Sequence, residues 1–165
     1  MTDSTDAPAP TPAEAGSLTI RVNAQYVKDL SFDNPRAPRS LQAQEGQPKD
    51  DVQVDVKATK LADDVYEVVL TTTVKGTGDE GPLFLAELSY GGVFALEGLA
   101  EEHLQAVLLV ECPRLLFPFA RNIVADIPRD GGFPPLLIQP VDFAQLYRQS
   151  QKEASHAPAE EALIQ

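Results

Sequence analysis

The segment GTGDEG, Gly76 to Gly81, has the spacing of a glycine loop that cradles phosphate. That chemistry requires a strand that hands the chain to a helix, whose N-terminal amides then hold the pyrophosphate. Here Pro82 and the strand-like LFLAEL follow, and the carboxylates of Asp79 and Glu80 repel phosphate. A hairpin loop is expected instead. The other reactive side chains are equally unaccompanied. Cys112 is the one cysteine and sits among apolar residues, and the two histidines are His103 and His156. They make no recognised zinc spacing. His103, beside Glu101 and Glu102, reads as a solvated residue of a first helical turn, and Cys112 has no base to activate it. With no nucleophile–base pair and no metal set, neither an enzyme nor a cofactor is expected.

A protein without reactive groups acts through its surfaces. The chain has 165 residues, 13 of them basic and 25 acidic, for a net charge of −12. That balance excludes nucleic acid and anionic membrane surfaces as natural partners and favours basic ones. One cysteine cannot form an intrachain disulfide, the N-terminus lacks a signal-peptide pattern, and no run is long and apolar enough to span a membrane. A cytoplasmic location with no membrane insertion is expected. Residues 1–17, rich in Pro, Ala and Thr, are expected to be a disordered tail, and residues 152–165 a flexible acidic one. The body, 18–151, still holds 12 basic and 19 acidic residues, so the acidity belongs to the folded part.

The body begins with SLTIRVNAQYVKDLSFD, a long strand by its alternation. Leu18, Ile20, Val22, Ala24, Tyr26, Leu30 and Phe32 are expected on one face, with Lys28 interrupting them. Thr19, Arg21, Asn23, Gln25, Asp29, Ser31 and Asp33 fall on the other, with Val27 the exception. A Pro-rich crossover follows over 34–51. VQVDVKATKL and VYEVVLTTTVK are two more strands around an Ala-Asp-Asp turn at 62–64. LFLAELSYGGVFAL is a fourth, with a bulge or bend expected at Gly91-Gly92. Beyond Leu99 the period becomes helical, and VDFAQLYRQSQ closes the body as an amphipathic helix. Strands followed by helices predict an α+β fold: a four-stranded antiparallel sheet with two C-terminal helices on one face. One small sheet and two helices carry more apolar surface than a monomer readily covers. Oligomerisation or an open apolar groove is therefore expected.

Five blocks in order, YVKDLSFDNPRAP, LADDVYEVVLTTTV, FLAELSYGGVF, CPRLLFPFARNIVADI and GGFPPLLIQPVDFAQLY, resemble the SecB family of bacterial protein-export chaperones over residues 18–148. The resemblance implies an ATP-independent holdase that keeps preproteins unfolded and delivers them to the motor ATPase SecA. It implies a homotetramer, a dimer of dimers. The positions matching the family's SecA-binding face are Asp29, Asp33, Leu85 and Glu87. Those matching its client groove are Val52, Val54, Val56, Phe84, Phe133, Leu146 and Tyr147. Where relatives carry a tryptophan before the Gln-Pro of the crossover, this sequence has Gly46.

From helical spacing alone, Leu115, Phe119, Ile123 and Ile127 are expected to pack on the sheet. Leu116 and Val124 on the adjacent stripe, with Ala86 and Leu88, are then expected at the oligomer interface. Pro113 suits a helix start, and Pro118 predicts a kink or break around 112–118. A carrier of small apolar ligands and a plain oligomeric scaffold remain the alternative readings.

Overall fold

The structure, a computed structural model, describes residues 17–43 and 45–156; most of the two expected tails lies outside that range. Four strands form one antiparallel sheet in the order β1-β4-β3-β2. They are β1 (Thr19–Asp33), β2 (Lys49–Ala62), β3 (Val65–Gly78) and β4 (Gly81–Glu97). The turn between β2 and β3 places Asp64 at φ 58°, a left-handed conformation that aspartate tolerates. Asp79 and Glu80 form the β3–β4 turn, so the glycine-rich segment is a hairpin. The crossover carries the chain from one edge of the sheet to the other and ends at Lys49, earlier than the sequence pattern indicates.

In β3 and β4 the alternation is regular. Val68, Leu70, Thr72 and Val74, with Phe84, Ala86, Leu88, Tyr90 and Phe94, are buried on the helix-bearing face. β4 runs through Gly91-Gly92 without the expected bulge. The glycines instead admit neighbours on both faces. A Cβ on Gly91 would stand 2.6 Å from the Tyr26 ring, and one on Gly92 2.8 Å from Leu116.

The bulges lie opposite, in β1. Its pairing with β4 shifts between Val22 and Ala24, and again between Val27 and Asp29. A one-residue shift exchanges the faces of everything beyond it. Ala24 and Tyr26 therefore point away from the helices, contrary to the simple alternation, and Val27 points toward them. The second shift restores the phase, so Leu30 and Phe32 return to the helix side and Asp29 and Asp33 to the outer one. On the outer face the Tyr26 hydroxyl donates to Glu67, and Lys28 Nζ lies 2.7 Å from the same carboxylate. Gln25 faces the helices and accepts a hydrogen bond from Tyr90 at 3.2 Å.

After β4 the chain makes a 3-10 turn (Glu101–His103), one α-helical turn α1 (Leu104–Ala106) and a π-helical turn (Val107–Glu111). α2 then runs from Cys112 to Asp130, with Pro113 in its first turn and Pro118 and Pro128 inside it. The irregularity expected at 112–118 lies one turn earlier, where the π turn leads into the Pro113 start. The stripe assignment is also changed: Ile123 and Ile127 pack against the core as expected, but Leu115 and Phe119 do not. Leu116 is 0% exposed, and Cys112, Ala120, Val124 and Pro128 are buried along the same row, whereas Leu115 and Phe119 are 43% and 52% exposed. The small residues of this row, with Gly92 beneath Leu116, let the helix approach the sheet closely. Phe119 is too bulky to take the place Ala120 has in that row. Burial and the neighbouring Glu111 push the Cys112 thiol up to about 12, so it stays protonated as part of the core.

A Pro-rich loop leads to α3 (Phe143–His156). Asp142 caps it, accepting from the Gln145 amide at 3.0 Å, and Phe143 anchors it in the core. Residues 152–156, expected in the flexible tail, continue this helix.

Truncating Leu116→Ala is expected to destabilise the fold by about 3 kcal/mol in denaturant unfolding. Gly92→Ala alone should cost about 1–3 kcal/mol through overpacking, and the double variant less than the sum, because the truncated leucine makes room for the new methyl.

Glu67 is held below the usual carboxylate range, first by the Lys28 hydrogen bond and next by that from Tyr26. Its folded form therefore binds a proton more weakly than its unfolded form. The stabilisation is full above the ordinary carboxylate pKa and is lost as pH falls through the lowered one. The Tyr26 phenol, raised to about 12 by burial and by Glu67, adds stability that is lost as pH rises from about 10 toward 12. Glu67→Gln should therefore cost most near pH 7 and progressively less below about pH 4, read from urea midpoints across pH.

Candidate functional site

α2 packs chiefly on β3 and β4, the two central strands. The edge strands are left for other partners. On the β2 side the loop after α2 and helix α3 cover the sheet incompletely. Val52, Val54 and Val56 are half-buried there, on the face that bears the helices. A cavity of 470 Å³ runs between Val52 and Val54 and the loop residues Leu136, Leu137, Ile138 and Val141, with Leu146 at its end. A second, of 240 Å³, continues past Val54 and Val56 to Leu109, Leu146 and Tyr147. Shared walls at Val54 and Leu146 join the two into one track along β2.

At the other end of the loop, Phe32, Phe84 and Phe133 form an aromatic trio. Ring centroids lie 5.8 Å apart for Phe32–Phe84, 4.9 Å for Phe84–Phe133 and 6.4 Å for Phe32–Phe133. Phe84 is buried and the other two are half-buried. The loop from Phe133 to Val141 thus connects the trio to the β2 track. All seven expected groove residues lie on this line, five in the cavities and two in the trio. The sequence pattern did not single out Leu136, Leu137, Ile138, Val141 or Leu109. The signal for the first four was FPPLLIQPV, an apolar run whose prolines forbid a regular element that would bury it. Leu137 is 77% exposed. Burial at the track's mouth raises the Asp50 carboxyl above its usual range.

The opposite face of the sheet carries the charge. Asp29 pairs across to Ser89, Ser31 to Glu87 and Asp33 to Leu85, so all share the outer face at one end of β1 and β4. Asp29, Asp33 and Leu85 are exposed, and Glu87 is half-buried with the Thr73 hydroxyl 3.4 Å away. Among the described residues neither Asp29 nor Asp33 has an ion-pair partner. The four expected positions come together as one acidic patch with an exposed leucine.

The residues expected at an oligomer interface are placed otherwise. Ala86, Leu88, Leu116 and Val124 are all buried within their own chain, 1% exposed or less. The apolar surface left open lies beside them: Val22, Val27 and Leu30 on the helix side of β1, with Leu115 and Phe119 on α2. Tyr90 joins the two groups, its ring stacked 6.5 Å from Phe119 and its backbone opposite Val27. No helix among the described residues is long and apolar enough to cross a membrane, and no group of them is arranged to hold a metal ion.

An open apolar track beside an unpaired strand edge, backed by an acidic sheet face, makes this an α+β binding module suited to extended apolar chains. Comparison with known proteins identifies the kind. Residues 13–154 match the family model described as preprotein translocase subunit SecB. The chain is 50% identical over 163 residues to the protein-export protein SecB of Maricaulis maris, covering 98% of this chain and 94% of that one. It is 50% identical over 168 residues to that of Rhodospirillum centenum, covering 95% and 100%. A SecB-like chaperone from Mycobacterium tuberculosis, solved in complex with an antitoxin peptide, shares the fold with a TM-score of 0.61 and 16% identity, over 74% of this chain and 90% of that one. The chain belongs to the SecB family of protein-export chaperones.

Proposed function

We propose that this protein is an ATP-independent cytoplasmic holdase, a dimer-of-dimers tetramer that keeps preproteins unfolded and passes them to SecA. The observation that carries the reading is the continuous apolar line from Phe32, Phe84 and Phe133, through the 133–141 loop, to Val52, Val54, Val56, Leu146 and Tyr147. Unfolded chains offer apolar side chains and free backbone groups together, and the β2 edge offers ladder groups to pair with the latter. Slow-folding polypeptides stay in that form longest, so selection among clients is kinetic.

The other two surfaces have separate partners in this reading. The exposed stripe of Val22, Val27, Leu30, Leu115 and Phe119 is the surface a second copy covers, in place of the four residues already buried. The patch of Asp29, Asp33, Leu85 and Glu87 receives basic surface of SecA, helped by the chain's net charge of −12.

The deciding experiment is a native mass measurement with and without an unfolded precursor. A tetramer that gains mass only with the non-native polypeptide is expected. A monomer, or a tetramer that ignores it while taking up a small apolar ligand, defeats the reading in favour of a carrier. For the acidic face, reversing charge at Asp29, Asp33 and Glu87 should abolish SecA binding and leave client binding within about twofold, since the track lies on the opposite side of the sheet. Loss of both together would signal misfolding rather than a lost docking face.

A further inference from the structure

The β3–β4 turn projects from the end of the sheet that the crossover must pass on its way from β1 to β2. It grips the crossover at two points. Glu80 Oε2 lies 2.8 Å from Arg36 Nη2, and Arg36 Nη1 also donates to the Pro82 carbonyl at 3.4 Å. Ten residues further along the crossover, the Gly46 amide donates to Asp79 Oδ2 at 2.8 Å. The approach is close: a Cβ on Gly46 would stand 2.7 Å from Asp79 Oδ1, so a side chain there would displace the carboxylate.

Between these grips the crossover turns back on itself. The Ser40 amide donates to the Arg36 carbonyl at 3.1 Å, its hydroxyl lies 2.5 Å from Asn34 Oδ1, and Ser40 is buried. Leu41 follows, its methyl 3.0 Å from where a Cβ on Gly132 would stand, directly beside Phe133. Most other described residues of the crossover are exposed. The carboxylates of the turn therefore hold Arg36 and Gly46, and through Arg36 the Ser40–Leu41 turn that borders the aromatic trio.

We infer that Asp79 and Glu80 are positioning residues for client binding: by fixing the crossover they fix the border of the aromatic end of the track, and they make its occupancy sensitive to ionic strength. The inference rests on the proposed holdase reading and extends it to a turn that touches no client. Both contacts are charge-assisted, and the Glu80 side is exposed to solvent, so salt weakens them. Contacts between apolar side chains lack that sensitivity.

The test uses the full chain and a fluorescent, reduced and carboxamidomethylated α-lactalbumin as a permanently unfolded probe. Its dissociation rate is measured from low to high NaCl. At low salt, D79A/E80A should release the probe about fivefold faster than the unsubstituted protein. The unsubstituted protein should approach that rate as salt rises, and the variant's rate should stay flat. Asp79→Asn, whose carboxamide oxygen still accepts from Gly46, should recover much of the difference when combined with native Glu80. Amide exchange at Ser40 and Leu41 should accelerate in D79A/E80A, with the β3 and β4 amides unchanged. Equal probe release by both proteins across the salt range overturns the inference, as does unchanged exchange at Ser40 and Leu41. If the unsubstituted protein binds no probe at all, the holdase reading fails and this inference falls with it.

Discussion

The apolar face of this sheet is wider than the helix that covers it. Four strands at about 4.8 Å spacing place the edge strands about 14 Å apart, before side chains are counted, while a helix with its side chains is about 10 Å across. α2 settles over the two central strands, where Gly92 and Ala120 permit the closest approach. Whatever lies beyond its flanks has to be covered by something else or left open. On the β2 flank the cover is a proline-rich loop and a helix anchored in the core by Phe143, and it leaves a track. On the β1 flank the described residues leave Val22, Val27 and Leu30 exposed. Both open apolar surfaces follow from this one mismatch of widths.

β1 adds a second constraint, because it must serve two surfaces at once. Its helix side belongs to the uncovered apolar flank, and its outer side carries Asp29 and Asp33. The two bulges make this division possible. Between them Tyr26 reaches the outer face and meets Glu67, while Val27 and Gln25 turn toward Tyr90. The Tyr26–Glu67–Lys28 cluster bonds the bulged segment to β3, the second strand in from that edge. A single slip there would send the aspartates to the helix side and the apolar residues into solvent.

Much of this is legible in the sequence. Strand order in the chain, both tight turns and the α+β class follow from alternation and turn residues. The two exceptions in β1, Lys28 among apolar positions and Val27 among polar ones, mark the region where the phase slips; a uniform alternation treats them as noise. The helix stripe is harder. In CPRLLFPFARNIVADI two adjacent rows at fourfold spacing are comparably apolar, and hydrophobicity favours the bulkier row of Leu115 and Phe119. Close packing favours the row with Cys112 and Ala120 in it, and the decisive notch at Gly92 is contributed by a strand some twenty residues earlier. Tertiary fit between distant segments is not written in local periodicity. The shared outer face of Asp29, Asp33, Leu85 and Glu87 was legible because it depends on strand phase outside the bulged segment.

The loop that borders the track shows why the track stays open. Pro134, Pro135 and Pro140 flank Leu136, Leu137 and Ile138, which line the same cavity as Val52 and Val54 of the edge strand. An apolar segment beside a free β edge would ordinarily pair with it and close the sheet by one more strand. Proline has no amide hydrogen to give to a ladder and fixes its own φ, so this loop cannot become that strand along its length. Its apolar side chains stay beside β2, whose outer edge pairs with no strand among the described residues. The track thus keeps apolar side chains beside an outer strand edge, the two features the proposed holdase reading calls on, because the segment best placed to consume them is chemically prevented from doing so.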